Sequence, residues 1–369
     1  MRISESGHSF LIYAALGVAM LCLFSCKSSP APATAPSEST KSVAIKPATT
    51  RPAWPAGKPV APENLPGVGL AQHDFFYAGE AKTQDMYIVR KGQIVWSHHG
   101  INTKGEISDA ELLSNGNILF AHQFGVSLID PGDKILWNYD VPPKSEIHTA
   151  QAIGHDHVLF IINGPEPKLM VVNINDNTIT LQFPLPVKNL KSTHGQFRHA
   201  RLTDAGTLLV AHMDMGKVAE YDQTGKELWS LDAPGVWSAA RLKNGNTLIT
   251  CNRRIFEINP AGETVWEFTP ADILDYKVLQ FQIATRLPNG DTLVNNWVNQ
   301  WNATTHPTTT PTTAPVQLEV QVWEITPDKK IVWALRPWEK PLDLGPATTI
   351  QLLDVDAPAP EDVHFGNIK

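Results

Sequence analysis

The stretch KGQIVW (91–96) decides the fold, because it keeps returning. A turn of Gly or Asp with a charged or polar residue runs into a short apolar strand that ends in Trp. It reads GDKILW at 132–137, TGKELW at 224–229, AGETVW at 261–266 and DKKIVW at 328–333. A degenerate copy, NTITLQF (177–183), ends in Phe183. Successive anchors lie 41, 46, 46, 37 and 67 residues apart. Self-similarity at roughly 40–50 residues marks a β-propeller with one four-stranded blade per repeat.

A second element precedes most anchors: SNGNILF (114–120), TDAGTLLV (203–210), KNGNTLI (243–249) and PNGDTLV (288–294). Its Asn-Gly or Ala-Gly pair is a tight turn joining two strands. A third strand, such as VAEYD (218–222) or IFEIN (255–259), leads to the Trp strand. Each repeat is therefore strands a to d, with Trp on d, where it is expected to pack between blades. Before Trp96 there is room only for FFYAG (75–79), MYIVR (86–90) and QIVW (93–96) as strands b, c and d. After Trp333 one strand is left over, ATTIQLL (347–353), which resembles a strand a such as SDAELL (108–113). An all-β, six-bladed propeller is expected, with one blade closed by N- and C-terminal strands so that no sheet edge stays open in the ring. The 67-residue gap holds TTHPTTTPTTAP (304–315), read as a Thr/Pro-rich surface loop between strands b and c of the fifth complete repeat.

The 369 residues, 42% hydrophobic and 18% charged, suffice for one large domain, 69–369. A net charge of −7 with no basic run argues against nucleic-acid binding, and a monomer is expected. Phe10 to Phe24 is apolar but short of the about 20 residues that span a bilayer, which fits the core of a secretory signal. It ends in Leu23-Phe24-Ser25-Cys26, which resembles a bacterial lipoprotein box. That resemblance implies a signal peptide over 1–26, lipidation at Cys26, and a place in the bacterial envelope, on the periplasmic face of the outer membrane or the cell surface. Residues 27–68 are rich in Pro, Ala, Ser and Thr and read as a disordered tether. Only Cys251 lies in the folded part, so no disulfide forms there and a buried strand thiol is expected.

The segment YDQTGKELWSLD (221–232) resembles the repeat of the pyrroloquinoline-quinone (PQQ)-type propellers. The turns LKNGNTLI (242–249) and LPNGDTLV (287–294) are similar to those of bacterial arylsulfate sulfotransferase propellers, which are six-bladed. Quinone-dependent dehydrogenases of this type have eight blades and usually adjacent cysteines at the cofactor. This chain has neither, so no bound quinone is expected. The sulfotransferase resemblance implies a histidine that carries the sulfuryl group, held by neighbouring His and Arg. That family's motif does not align here residue by residue, and residues 27–68 offer no counterpart to its N-terminal domain. The lipoprotein propeller of the outer-membrane barrel-assembly machinery shares the address and repeat type, which implies an envelope-assembly scaffold as another role.

In a propeller, the loops into strand a and out of strand b open on one face, over the central channel. Aligning the repeats places Asp109, His148, His194, Arg198, Trp237 and Gln282 at the starts of strands a. His122, His212, Asp214, Asn252, Arg253, Asn296 and Trp297 fall at the ends of strands b, with His122 and His212 in matching slots. The densest piece is STHGQFRHARL (192–202), with His194, Arg198 and His199. Histidine serves as base, nucleophile or ligand, and Arg offers a planar fork to an anion. His194, His199, His212 and Arg198 are therefore the catalytic candidates. His148, His194, His199, His212 and Asp214 have donor atoms for a metal, but no HxH or HExxH spacing on strands that face inward supports one, and none is assigned. His98, His99, His155 and His157 read as solvated or strand-end histidines. Trp237, Trp297 and Trp301 with Asn and Gln would suit glycan stacking. The expected function is a membrane-tethered module that binds a small anion, a glycan-like ligand or a partner protein at the channel mouth. A sulfotransferase-like enzyme and an envelope scaffold stand as alternatives.

Overall fold

The computed structural model describes residues 65–79, 84–100, 105–297, 319–336, 344 and 347–363, all within one unit, Val43–Lys369. The expected signal peptide with Cys26, nearly all of the expected tether, residues 304–315 and Trp301 lie outside the described residues.

The described strands form six four-stranded antiparallel sheets, one per blade. The closing blade holds β1 (Phe75–Gly79), β2 (Met86–Arg90) and β3 (Gln93–His98). Blade 1 is β4 (Asp109–Leu112), β5 (Ile118–Ala121), β6 (Gly125–Ile129) and β7 (Ile135–Asp140). Blade 2 is β8 (Glu146–Ile153), β9 (His157–Asn163), β10 (Lys168–Asn173) and β11 (Ile179–Pro184). Blade 3 is β12 (Phe197–Leu202), β13 (Leu208–His212), β14 (Lys217–Tyr221) and β15 (Glu227–Asp232). Blade 4 is β16 (Val236–Arg241), β17 (Thr247–Cys251), β18 (Arg254–Ile258) and β19 (Thr264–Phe268). Blade 5 is β20 (Phe281–Arg286), β21 (Thr292–Asn296), β22 (Val322–Ile325) and β23 (Ile331–Leu335). The last strand, β24 (Ala347–Leu352), pairs with β1 and becomes strand a of the closing blade, as the leftover strand in the sequence predicts.

The strands b and c read as nearly continuous apolar runs because both faces of each are buried. Alternate side chains point to opposite faces. In β1, Phe75 and Tyr77 join a core shared with blade 5, while Phe76 and Ala78 join one shared with blade 1. Six such clusters among the described residues each fill one interface between neighbouring blades. Cys251 belongs to the cluster between blades 3 and 4, and burial pushes its thiol up to about 11, so it is an inert packing residue.

Four of the tryptophan anchors latch their blade to the next. Trp96 Nε1 donates to Pro131 O at 2.9 Å, Trp137 to Asn177 Oδ1 at 2.8 Å and Trp266 to Pro327 O at 3.0 Å. Each acceptor lies in the c–d turn of the following blade. Trp333 instead donates to Gly69 O at 2.9 Å, on the segment leading into the closing blade. In every blade the c–d register slips by one, which makes the residue before the anchor a bulge on the outer edge strand. Bulges twist an exposed edge away from further pairing. They also account for the exposed aliphatic residues Val95, Leu136, Leu228, Val265 and Val332 that precede five of the tryptophans.

The register corrects one expectation. In blade 2 the slip falls between Val171 and Val172, so Leu181, not Phe183, fills the anchor slot. Phe183 lies two residues further on, yet it covers Gly225 in the c–d turn of blade 3. A local motif of seven residues does not reveal where the bulge falls, and the bulge decides which side chain faces the neighbour.

Candidate functional site

The innermost strands carry a second set of bulges, at the mouth. The a–b register slips between Phe197 and His199 and between Val236 and Ser238, which makes Arg198 and Trp237 the extra residues. In blades 2 and 5, His148 with Thr149, and Gln282 with Ile283, share one place opposite the partner strand. In the closing blade Thr348 is the extra residue. Ser108, just ahead of β4, completes this tier. Bulges next to functional sites re-aim side chains. Here they set the mouth tier in five blades, and Ser108 supplies the sixth position.

Four residues of this tier are joined. Ser108 Oγ lies 2.9 Å from His148 Nδ1, Arg198 Nη1 lies 2.9 Å from the same nitrogen, and the Arg198 guanidinium stacks over Trp237 at 4.7 Å. Arginine only donates, so His148 Nδ1 is the acceptor and the ring proton sits on Nε2. That proton meets Glu146 Oε2 at 2.7 Å. Glu146 Oε2 also takes a bond from His194 Nδ1 at 2.9 Å, and the two imidazoles cross edge to face at 4.9 Å. Glu106 Oε1 accepts from Arg198 Nη1 at 2.7 Å, and Ser108 Oγ, 3.0 Å from that oxygen and 2.9 Å from His148 Nδ1, has one proton to give to either. Burial works to raise the pKa of Glu106, but the Arg198 guanidinium beside it outweighs this and holds the carboxyl below its usual range. Glu146 is likewise held low, since the bonds from His148 and His194 overcome its burial. Both carboxylates are ionised at neutral pH.

His194 sits on a single 3-10 turn, Thr193–Gly195, and its side chain is half-exposed. The turn is pinned from below. Asn163 Nδ2 donates to Thr193 O and Phe197 O, both at 3.1 Å. The fully buried Gln196 exchanges bonds with Gly164, accepting from N at 2.7 Å and donating to O at 3.1 Å. Asp214 accepts the amides of Lys188 and Asn189, which fixes the start of the same loop. Beside Glu146 lies a hollow of about 490 Å³, lined by Phe124, Val141, Pro142, Pro143, Lys144 and Thr193. Phe124 is 44% exposed there.

The other candidates lie elsewhere. Asp109 is one step down the channel, buried, in a bidentate pair with Arg201 at 2.8 and 2.9 Å. Burial works against its charge, and Arg201 overcomes that and keeps the carboxylate ionised. His199 is buried at the same depth, and burial with the Arg201 charge brings it down to about 3. It is a neutral ring between blades 3 and 4. His212 is wholly buried, bonded to Tyr221 Oη at 2.8 Å and packed on Phe197, with its pKa down to about 4 through burial and Lys217. His122 bonds Ser127 Oγ at 3.1 Å inside its own blade. Asn296 spends its side chain on Leu279 N, Lys277 O and Val320 O. Asn252 packs against Gly235, Gln282 is buried in the mouth tier, Trp297 is half-buried and Arg253 is exposed, its Nη1 donating to Val278 O at 3.0 Å. His98 and His99 pair with Asp133 and Asp85, and His157 with Asp156.

So His148, His194, Arg198 and Trp237 come together, and His122, His199 and His212 do not join them. Glu106, Glu146 and Phe124 were missed in the sequence. A signal existed for the two carboxylates: Glu106-Ile-Ser108, Glu146-Ile-His148 and Gln196-Phe-Arg198 occupy the same slot in successive repeats.

No protein-family model matches the chain, and no curated protein matches it. Solved structures do. A protein of unknown function from Bacteroides caccae superposes with a TM-score of 0.64 at 23% identity, covering 75% of this chain and 97% of its own. A catalytically inactive virginiamycin B lyase from Staphylococcus aureus, bound to quinupristin, gives 0.46 at 14% identity, over 73% and 87% of the two chains. BamB from Moraxella catarrhalis gives 0.38 at 15%, over 60% and 71%. At these identities the likeness extends to the β-propeller fold and no further.

Proposed function

We propose that this chain is a lipid-tethered extracytoplasmic binding module whose channel mouth takes a small hydroxyl-rich, glycan-like ligand. One observation carries the reading: the exposed ring of Phe124 shares a 490 Å³ hollow with the ionised Glu146 carboxylate. An apolar platform beside fixed acceptors suits a sugar ring, which stacks on one face and donates from its hydroxyls. The pinned His194 turn supplies preorganisation. An anion is a weaker fit, because Arg198 already donates to Glu106 and His148. The β-propeller is a fold compatible with binding or scaffold roles, and the resemblance of YDQTGKELWSLD (221–232) to PQQ-type repeats agrees with both.

The test is calorimetric titration of the purified chain with gluco-, chito- and malto-oligosaccharides, and with sulfate, phosphate and an aryl sulfate. Saturable glycan binding that Phe124→Ala and Glu146→Gln abolish supports the reading. Silence from every sugar would sink it. A second reading rests on His194: Glu146 holds its Nδ1–H and leaves Nε2 as a nucleophile. Turnover of the aryl sulfate by wild type, lost in His194→Ala, would select a group-transfer enzyme instead. The tether has its own test: Cys26→Ala should move the protein out of the membrane fraction while the propeller still folds.

A further inference from the structure

We propose that the mouth binds a divalent transition-metal ion of the zinc class through Glu106 Oε1, His148 Nδ1 and His194 Nε2, in exchange for the guanidinium of Arg198. The inference deepens, and rests on, the reading of the mouth as a ligand site. Its starting point is Glu146. A single oxygen, Oε2, takes the ring protons of both His148 Nε2 and His194 Nδ1, at 2.7 and 2.9 Å. One carboxylate therefore fixes two tautomers, and the lone pairs are left on His148 Nδ1 and His194 Nε2. Both face the same atom: Glu106 Oε1 lies 3.2 Å from the first and 4.0 Å from the second. One ligand atom from each of the three residues lies within 4.8 Å of the other two.

Metal-binding imidazoles commonly give their second N–H to a carboxylate, which sets ring orientation and raises ligand basicity. Bonds of about 2.0–2.1 Å in a tetrahedral site hold ligand atoms about 3.4 Å apart. The Glu106–His148 spacing already meets this, and the half-exposed His194 needs only a small rotation. Its exposure also leaves a coordination position open to solvent. Two imidazoles with one carboxylate suit zinc, cobalt, nickel or ferrous iron, whereas magnesium and calcium ask for an oxygen cage.

Arg198 is the reason to expect a cation here. Its Nη1 stands 2.7 Å from Glu106 Oε1 and 2.9 Å from His148 Nδ1, donating to both lone pairs at once. The guanidinium thus fills the place where two of the three ligand atoms converge. It stacks over Trp237, so it has a surface to remain on when the ion enters. Metal and arginine are alternative cations for one pocket, and removing the arginine should strengthen the metal.

The experiment uses the full chain in detergent, without a histidine tag, after chelator treatment. Zinc is titrated calorimetrically and cobalt by its visible absorption, against wild type, His194→Ala, Glu106→Gln and Arg198→Met, with thermal melts to confirm folding. The expected result is one ion per chain, at least about tenfold weaker in His194→Ala and Glu106→Gln, and tighter in Arg198→Met. Absence of binding by wild type, or affinity unchanged in His194→Ala and Glu106→Gln, overturns the site. An Arg198→Met protein that binds no tighter overturns the exchange. Titrating oligosaccharides with chelator present separates the two ideas: sugar binding without metal binding rejects the ion and leaves the module.

Discussion

His73 donates from Nε2 to Glu324 Oε2 at 2.9 Å, and so ties the closing blade to blade 5. Its other ring nitrogen faces Asp354 at 3.2 Å, just past β24. The same latch recurs with arginine elsewhere. Arg241 of blade 4 pairs with Glu220 on strand c of blade 3, and Arg286 of blade 5 with Glu257 of blade 4. At the closing seam a histidine takes the arginine's part, and the seam becomes sensitive to pH. Burial works to lower the pKa of His73, but Glu324 and then Asp354 outweigh it, and the value is raised. A raised histidine stabilises the fold fully below its unfolded pKa near 6.5 and loses this as pH rises through the folded value. The melting temperature of wild type should exceed that of His73→Gln by roughly 2 °C or more at pH 5.5, and the gap should shrink at pH 8.5. A gap that is constant with pH would show that the ring only packs.

Glu111 presents the opposite sign. It lines the central cavity of about 690 Å³, and burial pushes its carboxyl up to about 7 despite Arg201. The unfolded chain ionises near the ordinary carboxylate value while the folded one holds its proton, so stability falls between the two as pH rises. Its Oε2 accepts Ala152 N at 2.8 Å, the same inter-blade bond that Gln151 makes to Leu202 N and Gln351 to Leu112 N. Glu111→Gln should therefore stabilise the protein at pH 8 by about 1–3 kcal/mol and do little at pH 4, as read by denaturant midpoints at the two pH values.

Gly225 and Gly262 sit in matching c–d turns with φ of +82° and +84°. A methyl at Gly225 would lie 2.7 Å from Phe183 Cγ, whereas one at Gly262 meets nothing within 4 Å. Both Ala variants should lose about 1–2 kcal/mol to backbone strain. Gly225→Ala should lose about 1–3 kcal/mol more, from the clash. Equal losses in chemical denaturation would mean that Phe183 is not a latch.

Ring closure depends on β24. Gln351 of that strand accepts Leu112 N and donates to Leu112 O, both at 3.0 Å, and the strand itself pairs along β1. Gln351→Ala should destabilise by about 1–3 kcal/mol. A chain ending at residue 346 should lose cooperative melting or self-associate through the bared edge of β1. A truncated chain that melts like wild type would rule out the closure.

The repeat, the blade count and the closure were legible in the sequence because their causes are local. A Gly turn, a two-residue alternation and a terminal Trp are properties of short segments, and five tryptophans kept the count. The buried Cys251 followed from the same strand pattern. Half of the mouth cluster, His148, His194, Arg198 and Trp237, could be placed by aligning strand starts. What the alignment could not contain is the bulge. One extra residue changes which side chain faces the channel, and it depends on pairing with a strand that lies a turn away and on the blade beyond. The tertiary structure alone therefore decided that Arg198 is spent on Glu106, that His199 and His212 are buried neutral rings, and that Leu181 displaces Phe183 from the anchor slot. It also decided that Glu146 orients two histidines from successive blades, because a carboxylate's partners are set by distance in space and not by spacing along the chain.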